Sequence, residues 1–280
     1  MPVSRRIVPI GKPSAAREPN GSFTVAASSN RLFFLYHELR TEPSHYSYVI
    51  ERSAFEQHLD LFLNARTLGD NTLYPEITFD DGHVSSVEIA LPALADRNLT
   101  ATFFLTVGWT ASRPGYMNWD QVRTLHAAGQ HIGAHGWSHT LLTHCDEAAL
   151  HTELETARLT LEDKLGAAIT TMSLPGGRFN PRVLNACKAA GYNHVYTSNP
   201  HPEPADLPFL IGRLNLRSNT TLESLSRLLD SRSGALASLE RHNKWKSALK
   251  KTLGDRIYAR LWAAMNRQEP ETEPAEAPLP

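Results

Sequence analysis

The sequence predicts an α/β fold built on a parallel sheet, either open or closed into a barrel of β/α units. Three observations carry that expectation. Strand and helix patterns alternate over about 190 residues; the helices start and stop at recognisable caps; and polar residues suited to chemistry fall at the ends of several separate strands.

In chain order, "RLFFLYH" (31–37) reads as a buried strand, and "ERSAFEQHLDLFLNA" reads as a helix with Phe55, Leu59 and Phe62 on one face. "EITF" is a strand, "SSVEIALPALADRN" a helix, and "TATFFLTVG" a strand. "NWDQVRTLHAAG" is a helix with Asn118 as N-cap and Gly129 as its stop, leading into the strand "QHIGAH". The pattern repeats with the helical spacing of "DEAALHTELETARLTLEDKLG" and the strand and turn "ITTMSLPGG". "NPRVLNACKAAG" follows as a helix capped by Asn180 with Pro181 at its first position, and "NHVYTS" as a strand. The strand ends then carry His37, Asp80 with Asp81, His135, Pro175 with Gly176, and Thr197 with Ser198.

Composition narrows the function classes. With 280 residues, 41% of them hydrophobic, the chain can bury a sizeable core. The 28 basic and 29 acidic residues nearly cancel, so no global field recruits nucleic acid, and none is expected as a partner. Cys145 and Cys187 lack metal-type spacing, which argues against a disulfide framework or a thiolate zinc site. No segment approaches the roughly 20 apolar residues of a membrane span, and the first residues lack an uninterrupted apolar signal segment, so the expected location is cytoplasmic.

"HGWSH" sets His135 and His139 four apart, the spacing that brings two imidazoles to one side of a helical turn. Alone the pair is weak, but a carboxylate from another strand end would complete a facial triad with positions open for water and substrate. "TFDDG" offers two. One carboxylate can ligate a metal while its neighbour takes a proton from a water whose pKa the metal lowers from 15.7 to about 7.

"TFDDG" followed by "HGWSH" resembles the first two motifs of the polysaccharide deacetylases, carbohydrate esterase family four, over roughly residues 30 to 220. The resemblance implies a distorted (β/α) barrel and removal of N-acetyl groups from an amino-sugar oligo- or polysaccharide. It makes Asp80 the general base and Asp81, His135 and His139 the ligands of zinc, or of cobalt or nickel. "SLPGG" stands where the family has Arg-x-Pro-x-Gly, so Ser173 replaces an arginine and Arg178, just past the turn, is the expected residue to orient Asp80. Pro175, Gly176 and Trp137 are the expected substrate-binding residues, with Trp137 reading equally as core packing, and Trp119 reads as core. The family's fourth motif is not recognisable, and no Leu-x-His follows residue 200. Leu35, Tyr36 and His37 instead supply that pattern ahead of the aspartates, as in circularly permuted biofilm poly-N-acetylglucosamine deacetylases, making His37 the expected general acid.

The expected organisation is an N-terminal arm (1–28), the barrel (29–220), a helical extension (221–267) and an acidic Pro-rich tail (268–280). In the extension Trp245, Leu249, Leu253, Ile257 and Leu261 recur every four residues with basic residues on other faces, a pattern suited to packing on the barrel or a partner, or to peripheral membrane contact.

Overall fold

The computed structural model describes residues 30–68 and 71–242. The expected arm, the amphipathic stretch from Trp245 to Leu261 and the acidic tail lie outside these residues.

The first strand, β1 (Arg31–Tyr36), is buried along most of its length, as a strand covered on both faces should be. A short parallel pair, β2 (Glu38–Arg40) and β3 (Val49–Glu51), leads into α1 (Arg52–Thr67), which buries Phe55, His58, Leu59, Phe62 and Ala65. Next come β4 (Tyr74–Phe79), α2 (Leu91–Ala95) and β5 (Thr102–Leu105). They are followed by α3 (Trp119–Ala127) and β6 (His131–Ala134), then α4 (Glu147–His151) and α5 (Ala157–Leu165). The chain continues through β7 (Thr171–Ser173), α6 (Pro181–Ala189), β8 (His194–Tyr196), β9 (Leu210–Ile211), β10 (Arg213–Asn215) and α7 (Leu222–Leu229).

Eight of these strands form one parallel sheet in the order β10-β1-β4-β5-β6-β7-β8-β9. Its two edge strands, β9 and β10, are separated in sequence only by Gly212, so the edges meet and the sheet curls into a distorted (β/α) barrel. Gly212 is required there: a Cβ would run into the carbonyl oxygen of Asn199, and its N–H donates to buried Glu203 at 2.6 Å. Inside the barrel Phe33, Phe104, Tyr196 and Ile211 form a small cluster, while the larger core lies between the sheet and its helices.

The capping expectations hold. Asn118 accepts from Gln121 N and Gln121 returns the bond to Asn118 N, a full capping box, and Asn180 accepts from Val183 N ahead of Pro181. Several elements differ from expectation. The β5 strand stops at Leu105 because the next N–H groups turn away, Thr106 to Asp81 O and Val107 to Gly136 O. The helix after Asp81 opens with a wider π-turn (Ser86–Ala90) ahead of Pro92, which has no N–H to give to the helical ladder. Strands β2, β3, β9 and β10 are not among the expected elements, while α7 lies within the helical extension expected from residue 221.

Candidate active site

The residues expected to do chemistry converge at the C-terminal ends of the strands. β4 runs directly into Asp80 and Asp81, and Asp80 N donates to Tyr36 O at 3.0 Å, tying the turn to the neighbouring strand. Asp81 has φ 72° and His139 φ 65°, left-handed conformations that cost a non-glycine residue energy and cluster at functional sites. Gly82 follows at φ 86° and makes the tight turn that aims both carboxylates inward.

Asp81, His135 and His139 form one cluster, with one donor atom from each within 4.8 Å of the others. Asp81 Oδ1 lies 3.3 Å from His135 Nε2 and 3.4 Å from His139 Nε2, and it is buried without a hydrogen-bond partner among the described residues. His135 Nδ1 sits 2.9 Å from Ser173 O, so that nitrogen donates and Nε2 is left as the free lone pair. A borderline cation such as zinc fits this two-histidine, one-carboxylate set, and so do cobalt and nickel.

Asp80 is built differently. Arg213, fully buried, donates Nη1–H to Oδ1 and Nη2–H to Oδ2, both at 2.8 Å, a bidentate fork. The Ser173 hydroxyl donates to Oδ2 at 2.9 Å and accepts from Arg213 Nη2 at 2.7 Å. Arg213 Nε donates to Thr197 O at 3.1 Å, which anchors the guanidinium from behind. Burial pushes the Asp80 carboxyl up, but Arg213 and His135 overcome it, so it rests below the usual carboxylate range. Asp81 is likewise pushed up by burial, but His135, His37 and His139 outweigh it and hold the carboxyl below its ordinary range.

His37, just past β1, lies within electrostatic reach of Asp81, Asp80, His135 and Arg213. Burial lowers its pKa, and its Nδ1 is buried without a partner among the described residues. Pro175 is buried, and Gly176 is exposed at φ 62°. Trp137 is half-buried and packs against the main core, as does Trp119.

The geometry corrects one assignment. Arg178 is exposed and makes no hydrogen bond or ion pair with Asp80; the guanidinium on Asp80 belongs to Arg213. Ser173 explains the exchange. A small hydroxyl on β7 leaves the space that Arg213 enters from β10, and it then bridges acid and base. The available signal was a lone arginine within the apolar run "FLIGRLNL", a charge a barrel strand buries only when paired.

Glu153 was also missed. It lies in a π-turn (Thr152–Thr156) between α4 and α5, is buried, and accepts from Trp137 N at 2.7 Å and from Ser138 N at 3.1 Å, with the Ser138 hydroxyl as a further donor. It thereby clamps the backbone between the two histidines.

Residues 69–195 match the polysaccharide deacetylase family. A chitin deacetylase from Pestalotiopsis sp is 32% identical over 123 residues, 44% of this chain and 40% of that protein. A chitooligosaccharide deacetylase from Bradyrhizobium sp. is 28% identical over 146 residues, 51% of this chain and 64% of that protein. The chain therefore spans less than two thirds of the length of either relative. In fold it is similar to the Streptococcus pyogenes deacetylase PplD solved in complex with acetate, with TM-score 0.62 and 18% identity over 72% of this chain and 99% of that one. The barrel, the paired aspartates and the two histidines all agree with the polysaccharide deacetylase match over residues 69–195.

Proposed function

We propose that the chain is a metal-dependent hydrolase that removes N-acetyl groups from an amino-sugar polysaccharide or its precursor, in the biosynthesis of an exopolysaccharide. One observation carries this reading: an ionised carboxylate locked in a buried arginine fork stands beside a separate two-histidine, one-carboxylate cluster. The family match on its own would support only a deacetylase of unspecified substrate.

Asp81, His135 and His139 would hold the metal, with zinc the first choice, and when bound it would supply Lewis acidity and make water easier to deprotonate at neutral pH. Asp80 takes the proton from the attacking water; its low pKa keeps it ionised and ready. Arg213 and Ser173 fix the carboxylate so that little reorganisation is needed as the proton arrives. His37 protonates the leaving nitrogen from across the site, and Trp137, Pro175 and Gly176 border the substrate.

The test is acetate release from N-acetylglucosamine oligomers by zinc- or cobalt-loaded protein, with Asp80→Asn and His37→Gln as controls. Release by the wild type, lost in Asp80→Asn and cut roughly 10²-fold or more in His37→Gln with metal binding intact, supports the reading. A metal-loaded wild type that releases no acetate rejects it in favour of a small-molecule amidase of the same fold or a non-catalytic carbohydrate-binding protein.

A further inference from the structure

Two stacks of matching composition run outward from the site. On one side the ring of His139 lies 5.1 Å from Trp109, and the Arg113 guanidinium lies over Trp109 at 4.3 Å. Tyr116 closes this group, 4.8 Å from Trp109 and 5.1 Å from Arg113. On the other side the ring of His37 lies 5.1 Å from Tyr48, and the Arg217 guanidinium lies over Tyr48 at 4.6 Å while donating to its hydroxyl at 2.8 Å. The first stack follows β5; the second is built from the segments after β1 and β10. Because β1 and β5 pair with opposite edges of β4, the stacks flank the strand end that carries Asp80 and Asp81.

Each stack thus has the order histidine, aromatic ring, guanidinium. The rings are half-buried and the guanidiniums exposed. Neither arginine has a carboxylate partner among the described residues. Arg178, exposed on the loop after β7, has none either, so three uncompensated guanidiniums sit on three loops of one barrel face. The nearby acid Glu38 is already engaged by Arg40. Asp80, the central acid, is neutralised by Arg213.

Flat aromatic faces accept the apolar faces of sugar rings, and an unpaired guanidinium presents a fork matched to a carboxylate or phosphate. Like charges around one opening also raise the local concentration of anions. An arginine stacked on an exposed ring gains about 0.5–1 kcal/mol in any protein. What packing alone does not explain is that, among the described residues, none of the three loops around the same opening supplies its guanidinium with a carboxylate partner.

We infer that the glycan this site accepts is acidic, with a carboxylate or phosphate on a unit flanking the acetamido sugar at the centre. This deepens the deacetylase reading and rests on it.

The experiment uses metal-loaded full chain and three labelled probes. These are a neutral N-acetylglucosamine tetramer, the same tetramer as its 1-phosphate, and a hexasaccharide alternating glucuronate with N-acetylglucosamine. Binding is read by fluorescence anisotropy and turnover by acetate release, at low and high salt, for wild type and Arg113→Gln/Arg217→Gln. The expected result is that at least one acidic probe binds roughly 10-fold more tightly than the neutral tetramer at low salt. That advantage shrinks with salt and collapses in the double variant. The favoured probe identifies phosphate or carboxylate as the group recognised. Equal affinity for all three probes, or an acidic preference that the double variant retains, overturns the inference. Absence of acetate release from every probe rejects the deacetylase reading, while the anisotropy result still decides the acidic preference.

Discussion

The two ends of strand β4 make an instructive comparison. Glu76 near its start and Asp80 just past its end are both shielded carboxylates facing arginine, yet burial wins at the first and loses at the second. Glu76 is raised by burial despite Arg66 and Arg31, because Arg31 offers a single bond at 2.9 Å and Arg66 stands off at 3.6 Å. Asp80 is lowered because Arg213 meets both of its oxygens and His135 adds to the field. A cavity of about 490 Å³ opens at the Glu76 end, lined by Arg31, Arg66, Glu76 and His131, so cavity size is a poor guide to where chemistry sits in this barrel. Geometry of the partner, not depth of burial, decides which acid stays ionised.

Breaking the fork should have the largest effect. Arg213→Met leaves Asp80 buried without its partner, and a loss of about 3–5 kcal/mol is expected. Since the Asp80 pKa is depressed in the folded state, the pair stabilises above the ordinary carboxylate value of 3.8 and that stability fades as pH falls through the folded pKa. In Arg213→Lys, the gentler variant, the acid limb of the rate profile should move to higher pH. An unmoved limb would separate Arg213 from the ionisation of Asp80.

His58 sharpens the point, as a buried base whose bonded partner is the Tyr36 hydroxyl at 3.1 Å. With no charge to oppose it, burial lowers its pKa from 6.5 to about 4. The unfolded chain then binds a proton that the folded one refuses, so stability is full above pH 6.5 and declines towards pH 4. His58→Gln should flatten that decline by up to about 3 kcal/mol, read from urea midpoints across the window. Parallel curves for the two proteins would contradict it.

Glu153→Gln tests support behind the histidines. It should weaken zinc binding by about 10- to 100-fold while the melting temperature of the metal-free protein changes little. Metal affinity equal to wild type would reduce Glu153 to a packing residue. At the quiet end of β4, Glu76→Gln should cost less than about 1 kcal/mol and leave acetate release unaltered, since its ion pairs are half-exposed. A loss comparable to that of Arg213→Met would erase the contrast between the two ends.

Much of the molecule is written in local pattern. The alternation of strands and helices, the Asn118 and Asn180 caps, the glycine turn after the paired aspartates and the four-residue spacing of His135 and His139 all depend on neighbours within a turn or two. Such features survive in a linear reading because periodicity, cap chemistry and spacing are properties of short stretches. With the family resemblance, they were enough to single out the barrel, Asp80 and the three clustered residues. Tertiary structure alone decided who completes them. Arg213 reaches Asp80 across 133 residues and Ser173 across 93, and Glu153 reaches back to a loop it does not adjoin. Arg178 was the nearest candidate in the chain, but closing the barrel through Gly212 brought β10 beside β1 and placed Arg213 in the space that Ser173 leaves. The lone arginine in an apolar run marks a charge that must be buried and paired, but not with whom, because the contact exists only once every intervening strand has found its register.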